Sequence, residues 1–273
     1  MQLRGHNLQW GVRTYVMGIV NVTPDSFSGD GLEDAQAASA YAIAQARGAD
    51  IVDIGAESTR PGHVPVDEAT EMARLLPVVR AVRTQLPQAV ISVDTYKPNV
   101  FLAAHAEGAD MLNSVWGMPD ELLAAAVRAG APVVVMHNQT HTTYEGTVMD
   151  EVVRFLSEAA QRAMRAGIDR DRILLDPGIG FGKTADQNLS VLRDLRRLAA
   201  LGFPTLIGTS RKSTIGKLTG KTPRERVFGT AATTALAVAA GIDAVRVHDV
   251  DAALDAVRVS DAIVRNWRPA NWT

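Results

Sequence analysis

The sequence predicts the α/β class: a single (β/α)8 barrel of the TIM type with a short N-terminal hairpin. Three observations predict it. Eight short β-type runs alternate with long Ala/Leu/Arg-rich helical runs, with no linker between the units. Glycine recurs where helical runs give way to β runs. All eight β runs end in polar residues on the same side, as a barrel with its chemistry at the C-terminal face requires. An open doubly wound sheet is the competing architecture, but its glycine fingerprint after the first strand is missing. Residues 1–273 are read as one domain.

In chain order, residues 1–13 precede the first unit and are expected to form a hairpin capping the bottom of the barrel. Strands are expected near 14–22, 50–57, 90–95, 110–115, 132–138, 172–176, 204–209 and 243–248. A helical pattern follows each. In the run from Glu151 to Met164, for example, Val152, Val153, Leu156, Ala159, Ala160 and Ala163 fall on one helical face. Gly48, Gly108, Gly130, Gly167 and Gly241 are each expected to end a helix in the left-handed conformation that glycine adopts without steric cost.

Composition narrows the function classes. The chain has 273 residues, 47% hydrophobic and 21% charged, enough for one large core. Its net charge is −2 and its pI about 6.3, which argues against a nucleic-acid surface or a polybasic membrane anchor. With no cysteine, thiolate nucleophiles, disulfides and thiolate metal sites are excluded. No apolar run reaches transmembrane length, and the N-terminus has no signal-like region, so a cytoplasmic protein is expected.

The strand ends carry the candidate site. The second strand ends with Asp53 before Glu57, the third at Asp94, the fourth at Asn113-Ser114, the fifth at Met136-His137 and the sixth at Asp176. The seventh leads into Ser210-Arg211-Lys212-Ser213, and the eighth into Arg246-Val247-His248-Asp249. Alternation along a strand puts Arg246 and His248 on one face, opposite Val245 and Val247. Each residue alone has a plain structural reading. Asp94 could cap a helix, Met136 could fill core, His137 could be a satisfied structural histidine, and Gly178, Gly180 and Gly182 could form a loose turn. Recurrence at all eight tips is what favours a site, because buried unpaired charges cost several kcal/mol, roughly, and should not recur by chance.

The stretch from Asp176 to Thr184 resembles a phosphate-binding P-loop, but the spacing fails. The first glycine of that pattern would fall on Pro177. What remains is a carboxylate at a strand tip beside a glycine-rich loop, expected to be flexible. No HExxH or GxSxG pattern is present, which argues against a protein-ligated zinc centre and an acyl hydrolase. Asp94, Asn113 and Asp176, with Lys212, suit a flat heterocycle presenting N–H donors, with Met136 and Phe181 on its faces. Arg246 and His248, with Asn21 across the barrel, suit an anion.

At this point the chain resembles the bacterial dihydropteroate synthases. The motifs are Asn21-Val22-Thr23-Pro24-Asp25-Ser26-Phe27, Glu57 to Gly62, Ser92 to Thr95, Asp176 to Lys183, Ser210 to Ser213 and Arg246 to Asp249. They occur in the family's order and span nearly the whole chain. The resemblance implies condensation of 6-hydroxymethyl-7,8-dihydropterin pyrophosphate with p-aminobenzoate, giving 7,8-dihydropteroate and pyrophosphate in folate biosynthesis, aided by Mg²⁺. It implies that Asp94, Asn113, Asp176 and Lys212 hold the pterin, with Met136 and Arg246 against its faces. Asn21, Arg246 and His248 would bind the pyrophosphate, and Asn21 would also reach Mg²⁺. Ser213 would take the benzoate carboxylate. Phe27, Thr59, Arg60 and Pro61 would close over the benzoate, with Asp25 among the substrate contacts. Asp176, Lys212, Arg246 and His248 are the catalytic candidates, and Asp53 and Glu57 are read as loop-ordering residues. Sulfonamides should inhibit.

Two positions depart from the family pattern. Ser114 stands where the family usually has Asp, and Gln187 where it often has His. A corrinoid-linked pterin methyltransferase would share Asp94, Asn113 and Asp176 but would have no use for the Ser210 to Ser213 run. A non-catalytic pterin-binding paralogue should show broken loop motifs, yet Asn21, Asp25 and Arg60 are intact. The run from Val227 to Ala240 is apolar on more than one face, with Ala231, Ala232, Ala235, Ala239 and Ala240, and predicts a homodimer through this side.

Overall fold

Eight parallel strands follow one another around a barrel in the computed structural model, which describes residues 1–22, 35–58, 65–270 and 272. The strands are β1 (Tyr15–Asn21), β2 (Ile51–Gly55), β3 (Val90–Asp94), β4 (Met111–Ser114), β5 (Val133–Met136), β6 (Ile173–Asp176), β7 (Leu206–Ile207) and β8 (Ala244–Val247). Each pairs with its neighbour in sequence, and β8 returns to β1 with Ala244 opposite Tyr15. The seam between β6 and β7 is closed by a single bridge, Leu175 to Thr205.

Nearly every strand residue is buried, as expected where helices cover the outer face and side chains fill the lumen. Alternate residues divide between two cores. Val52, Ile54, Val93, Leu112, Val135, Leu175 and Val245 pack outward against helices. Tyr15, Met17, Ile51, Val90, Met111, Val134, Leu174, Leu206 and Ala244 form one cluster in the lumen. The N-terminal hairpin pairs Gln2 with Asn7, and Leu8 after it enters that same cluster, so it plugs the bottom as expected.

The helices are α1 (Ala35–Gly48), α2 (Glu68–Gln85), α3 (Pro98–Ala106), α4 (Asp120–Ala129), α5 (Val148–Arg165), α6 (Ala185–Arg193), α7 (Leu195–Ala199), α8 (Ser213–Thr219), α9 (Val227–Ala239) and α10 (Val250–Val264). Among the described residues, no helix is long and apolar enough to cross a membrane. Gly108, Gly130, Gly167 and Gly241 take positive φ after their helices, as the sequence predicts. Gly48 does not. It is the last residue of α1, and its missing side chain is used for packing: a Cβ there would lie 3.2 Å from Val250 Cγ1 on α10.

Candidate active site

Continuing most lumen-facing registers toward the C-terminal ends, side chains change from apolar to polar or charged within one or two positions. Ile51 is followed by Asp53, Val90 by Ser92 and Asp94, Met111 by Asn113, Leu174 by Asp176, and Ala244 by Arg246; in β5, Val134 is followed by the apolar Met136. All these polar side chains except the half-buried Arg246 are nearly or fully excluded from solvent.

Arg246 ties the group together. Its Nε donates to Asp53 Oδ2 at 2.6 Å and one terminal nitrogen to Asp94 Oδ2 at 2.9 Å, reaching from β8 to β2 and β3. Asn113 Nδ2 donates to the same Asp53 oxygen at 2.9 Å. Asp53, read from sequence as a loop-ordering residue, is therefore at the centre of the lumen network and fully buried. Nothing in its sequence neighbourhood marks this; the signal available was its place two residues after lumen-facing Ile51. Asp94 does not cap a helix: α3 begins after Lys97, and Asp94 turns inward. Its Oδ1 is buried without a hydrogen-bond partner among the described residues, so it is an acceptor left over for something else.

Burial pushes the Asp94 carboxyl up to about 7, against the pull of Arg246, and the Asp176 carboxyl up to about 6. For Arg246, burial acts to lower the pKa, but Asp53 and Asp94 outweigh it and the guanidinium is held more firmly charged than usual.

The glycine-rich loop after Asp176 is a tight turn tied at several points. Asp176 Oδ1 accepts from Gly178 N at 2.7 Å, and Asn188 Oδ1 accepts from Gly180 N at 2.8 Å. Gly178 has φ of 68°, and a Cβ on it would lie 1.9 Å from the backbone oxygen of His137, so only glycine fits. Lys183 has no phosphate-binding geometry. Its ammonium is buried against His137 Nδ1 at 2.9 Å and the carbonyl oxygens of Gly178 and Phe181. Burial lowers Lys183 to about 7 and His137 to about 3, so a neutral imidazole braces this turn, in keeping with the structural reading of His137.

Lys212 arches over the turn. Its Nζ is 4.2 Å from the centroid of the Phe181 ring, and its Cδ lies near Gly180. The preceding Arg211 has φ of 58°, uncommon for a side chain of this size, and its guanidinium grips Asp249 at 2.7 and 3.1 Å. That pair binds the loop after β7 to the loop after β8. Ser210 Oγ accepts from the backbone N of His248 at 3.1 Å and lies 3.0 Å from its Nδ1. With the hydroxyl donating to Nδ1, the ring carries its proton on Nε2, the nitrogen suited to an anion.

Asn21 ends β1 and is half-buried. Because β1 pairs directly with β8, Asn21 stands beside the Arg246–His248 strand, not across the barrel as expected. Met136 is buried at the tip of β5 beside Asp176 in register, and Ser213 is exposed at the start of α8. Ser114 faces away from the lumen on alternation with Asn113, so its departure from the family pattern does not alter the site. Gln187 completes a capping box with Thr184 outside the site. Glu57 bonds Tyr96 and pairs with Lys97, which also reaches Glu71 and Val66 O, so it ties the end of β2 to the residues that lead into α2 and α3. The expected contacts Asp25, Phe27, Thr59, Arg60 and Pro61 lie outside the described residues.

Residues 17–248 match the family model described as pterin binding enzyme. The chain is 44% identical over 271 residues to the dihydropteroate synthase of Synechocystis sp., covering 95% of this chain and 92% of that one. A crystal structure of the dihydropteroate synthase of Clostridium difficile, obtained in the presence of pteroic acid, superimposes with a TM-score of 0.88 at 44% identity and covers 95% of this chain and 100% of that one. The Yersinia pestis dihydropteroate synthase in a sulfonamide complex superimposes with a TM-score of 0.90 at 38% identity, over 96% of this chain and 98% of that one.

Proposed function

The chain belongs to the pterin-binding enzyme family and works as a dihydropteroate synthase, and from that premise we propose how its residues divide the reaction. The enzyme is a transferase that joins 6-hydroxymethyl-7,8-dihydropterin pyrophosphate to p-aminobenzoate and releases pyrophosphate. The observation that carries the reading is a ring of buried acceptors at the barrel mouth, Asp94, Asn113 and Asp176, around one guanidinium. Such a ring suits a flat ring edge whose N–H groups donate, and Met136 and Phe181 supply apolar contacts to its faces.

The carbon–oxygen bond between the pterin methylene and the pyrophosphate breaks, and positive charge develops on the methylene. Asp176, buried and ionised above about pH 6, opposes that charge from the ring edge. Lys212 is assigned to the pterin, and Arg246 and the Nε2 proton of His248, with Asn21, are assigned to the departing anion. The aniline nitrogen of p-aminobenzoate then bonds to the methylene and loses its proton to solvent. Its carboxylate is assigned to Ser213; the resemblance assigns Phe27, Thr59, Arg60 and Pro61 to covering the benzoate against water, with Asp25 among the substrate contacts.

Asn21 fits a magnesium ion. It is a neutral hard oxygen donor at the mouth, on the strand next to Arg246 and His248, and Mg²⁺ usually takes one or two protein oxygens along with phosphate oxygens and water. When bound, the ion would neutralise charge on the pyrophosphate.

The chain is proposed to act in the cytoplasm as one domain, with no nucleic-acid or membrane partner. It is proposed to act as a homodimer through α9 and α10, whose Phe228, Leu236 and Ile263 are 80%, 66% and 78% exposed. Light scattering should give twice the 29.2 kDa chain mass, and the chain mass alone would overturn the dimer.

The deciding experiment incubates the purified protein with the pterin pyrophosphate, p-aminobenzoate and Mg²⁺. Pyrophosphate release that requires p-aminobenzoate and is blocked by a sulfonamide is expected. Pterin binding without turnover would overturn the catalytic reading.

A further inference from the structure

Asp53 is the one carboxylate of the lumen network that cannot touch a ligand. It is fully buried beneath Asn113 and Arg246. Asn113 carries an ambiguity that a carboxylate does not: one end of its amide donates and the other accepts, and the two ends have nearly the same shape. A pocket that reads ring N–H groups needs the accepting end. In the structure Asn113 Nδ2 is committed to Asp53 Oδ2 at 2.9 Å, while Oδ1 has no hydrogen bond among the described residues. Arg246 Nε, bound to the same oxygen at 2.6 Å, keeps Asp53 in place. Only an acceptor at position 53 gives this result, and an ionised carboxylate accepts at both oxygens and donates at neither.

We infer that Asp53 is a positioning residue that locks the Asn113 amide with its oxygen toward the ligand, so that this point of the pocket presents an acceptor to a ring N–H or amino group. The inference rests on the pterin reading of the site. The lock also accounts for a costly arrangement. A fully buried carboxylate with one oxygen lacking a partner among the described residues persists because it fixes the polarity of a neighbour.

The test is a double-mutant cycle read by calorimetric titration with 6-hydroxymethylpterin. In Asp53→Ala, Asn113 loses its buried acceptor and turns its N–H₂ to the water in the mouth. Binding must turn it back and bury it unpaired, so affinity falls by about tenfold. Asn113→Ala removes the amide and also weakens binding. In that background there is no amide to orient, so adding Asp53→Ala must change affinity by far less than tenfold. This loss of effect is the signature of the lock. A substitution at Asp53 that weakens binding equally in both backgrounds overturns it, because a purely structural role, or a role only as counter-ion to Arg246, does not depend on residue 113. If Asp53→Ala fails to fold, Asp53→Leu, close to it in shape, replaces it in both backgrounds; a loss of affinity confined to the protein with Asn113 supports the lock, and an equal loss in both overturns it. Wild-type protein that does not bind the pterin would overturn the functional reading, and the lock with it. Wild-type binding with an additive cycle overturns the lock alone.

Discussion

The lower and upper halves of the barrel lumen are built by the same strands and differ in almost every physical respect. Below, Tyr15, Met17, Ile51, Val90, Met111, Val134, Leu174, Leu206 and Ala244 close against Leu8 in an apolar plug. Above, a residue or two further along the same strands, Asp53, Asp94, Asn113 and Arg246 share three hydrogen bonds and, among the described residues, leave Asp53 Oδ1 and Asp94 Oδ1 without a partner, with Asp176 beside them. The plug gains roughly 25 cal/mol for each Å² of apolar surface removed from water. The upper layer pays desolvation and recovers only part of it through Arg246. One half holds the barrel together, and the other spends stability to keep a binding surface dry and polarised.

That contrast can be broken most severely from below. Met111→Ala should cost about 2–5 kcal/mol of stability, since a fully buried side chain is replaced by a cavity, yet leave the KM for pterin pyrophosphate unchanged below its melting transition. A raised KM with undiminished stability would mean that the two halves are not separable. Denaturant melts alongside steady-state kinetics give both readings.

Asp176→Asn should do the reverse, lowering pterin affinity and turnover about 100-fold, or about 2.7 kcal/mol. The sign on stability follows from the raised carboxyl. Its folded-state pKa of about 6 exceeds the ordinary value of 3.8, so the neutral form contributes stability that is complete below 3.8 and lost as pH rises through about 6. Asparagine stays neutral, and at pH 8 the ligand-free variant should melt no lower than the parent. A melting point several degrees lower would place Asp176 among the structural residues.

The smallest effect is on pH. Ligand N–H groups bind ionised acceptors more strongly, and Asp94 and Asp176 protonate near 7 and 6. Pterin affinity should therefore hold above pH 7, fall by up to about tenfold by pH 6, and fall more steeply below it, where both carboxyls protonate. Calorimetry across pH 5 to 8 that gives a flat profile would show that the acceptors do not carry the binding.

Much of this was legible in the chain itself. Period-two alternation along β8 placed Arg246 and His248 on the lumen face, and the break from Leu174 to Asp176 marked where plug gives way to site. The glycines ending α3, α4, α5 and α9 announced the returns to the strands. Harder to read were relations between strands distant in sequence. Asp53 and Arg246 are separated by 193 positions, so no local pattern identifies their pairing. The turn after Asp176 looked free because glycine is compatible with both a loose loop and a crowded one. The crowding comes from His137, a residue of another strand tip. Gly48 misled for the same reason, since its partner Val250 lies on the far helix of the neighbouring unit.

What the sequence by itself determined is the set of strands, their order, which residues face inward and the polar ring at one end, because these depend on periods of two and 3.6 residues within single elements. Only the tertiary structure decided which acceptor meets which donor: that Arg246 spans to Asp53 and Asp94, that Asp53 turns the amide of Asn113, and that Asn21 stands beside His248's strand. Barrel closure brings distant strand tips within hydrogen-bonding distance, and hydrogen bonds are directional over a few tenths of an ångström, a precision that no one-dimensional pattern contains.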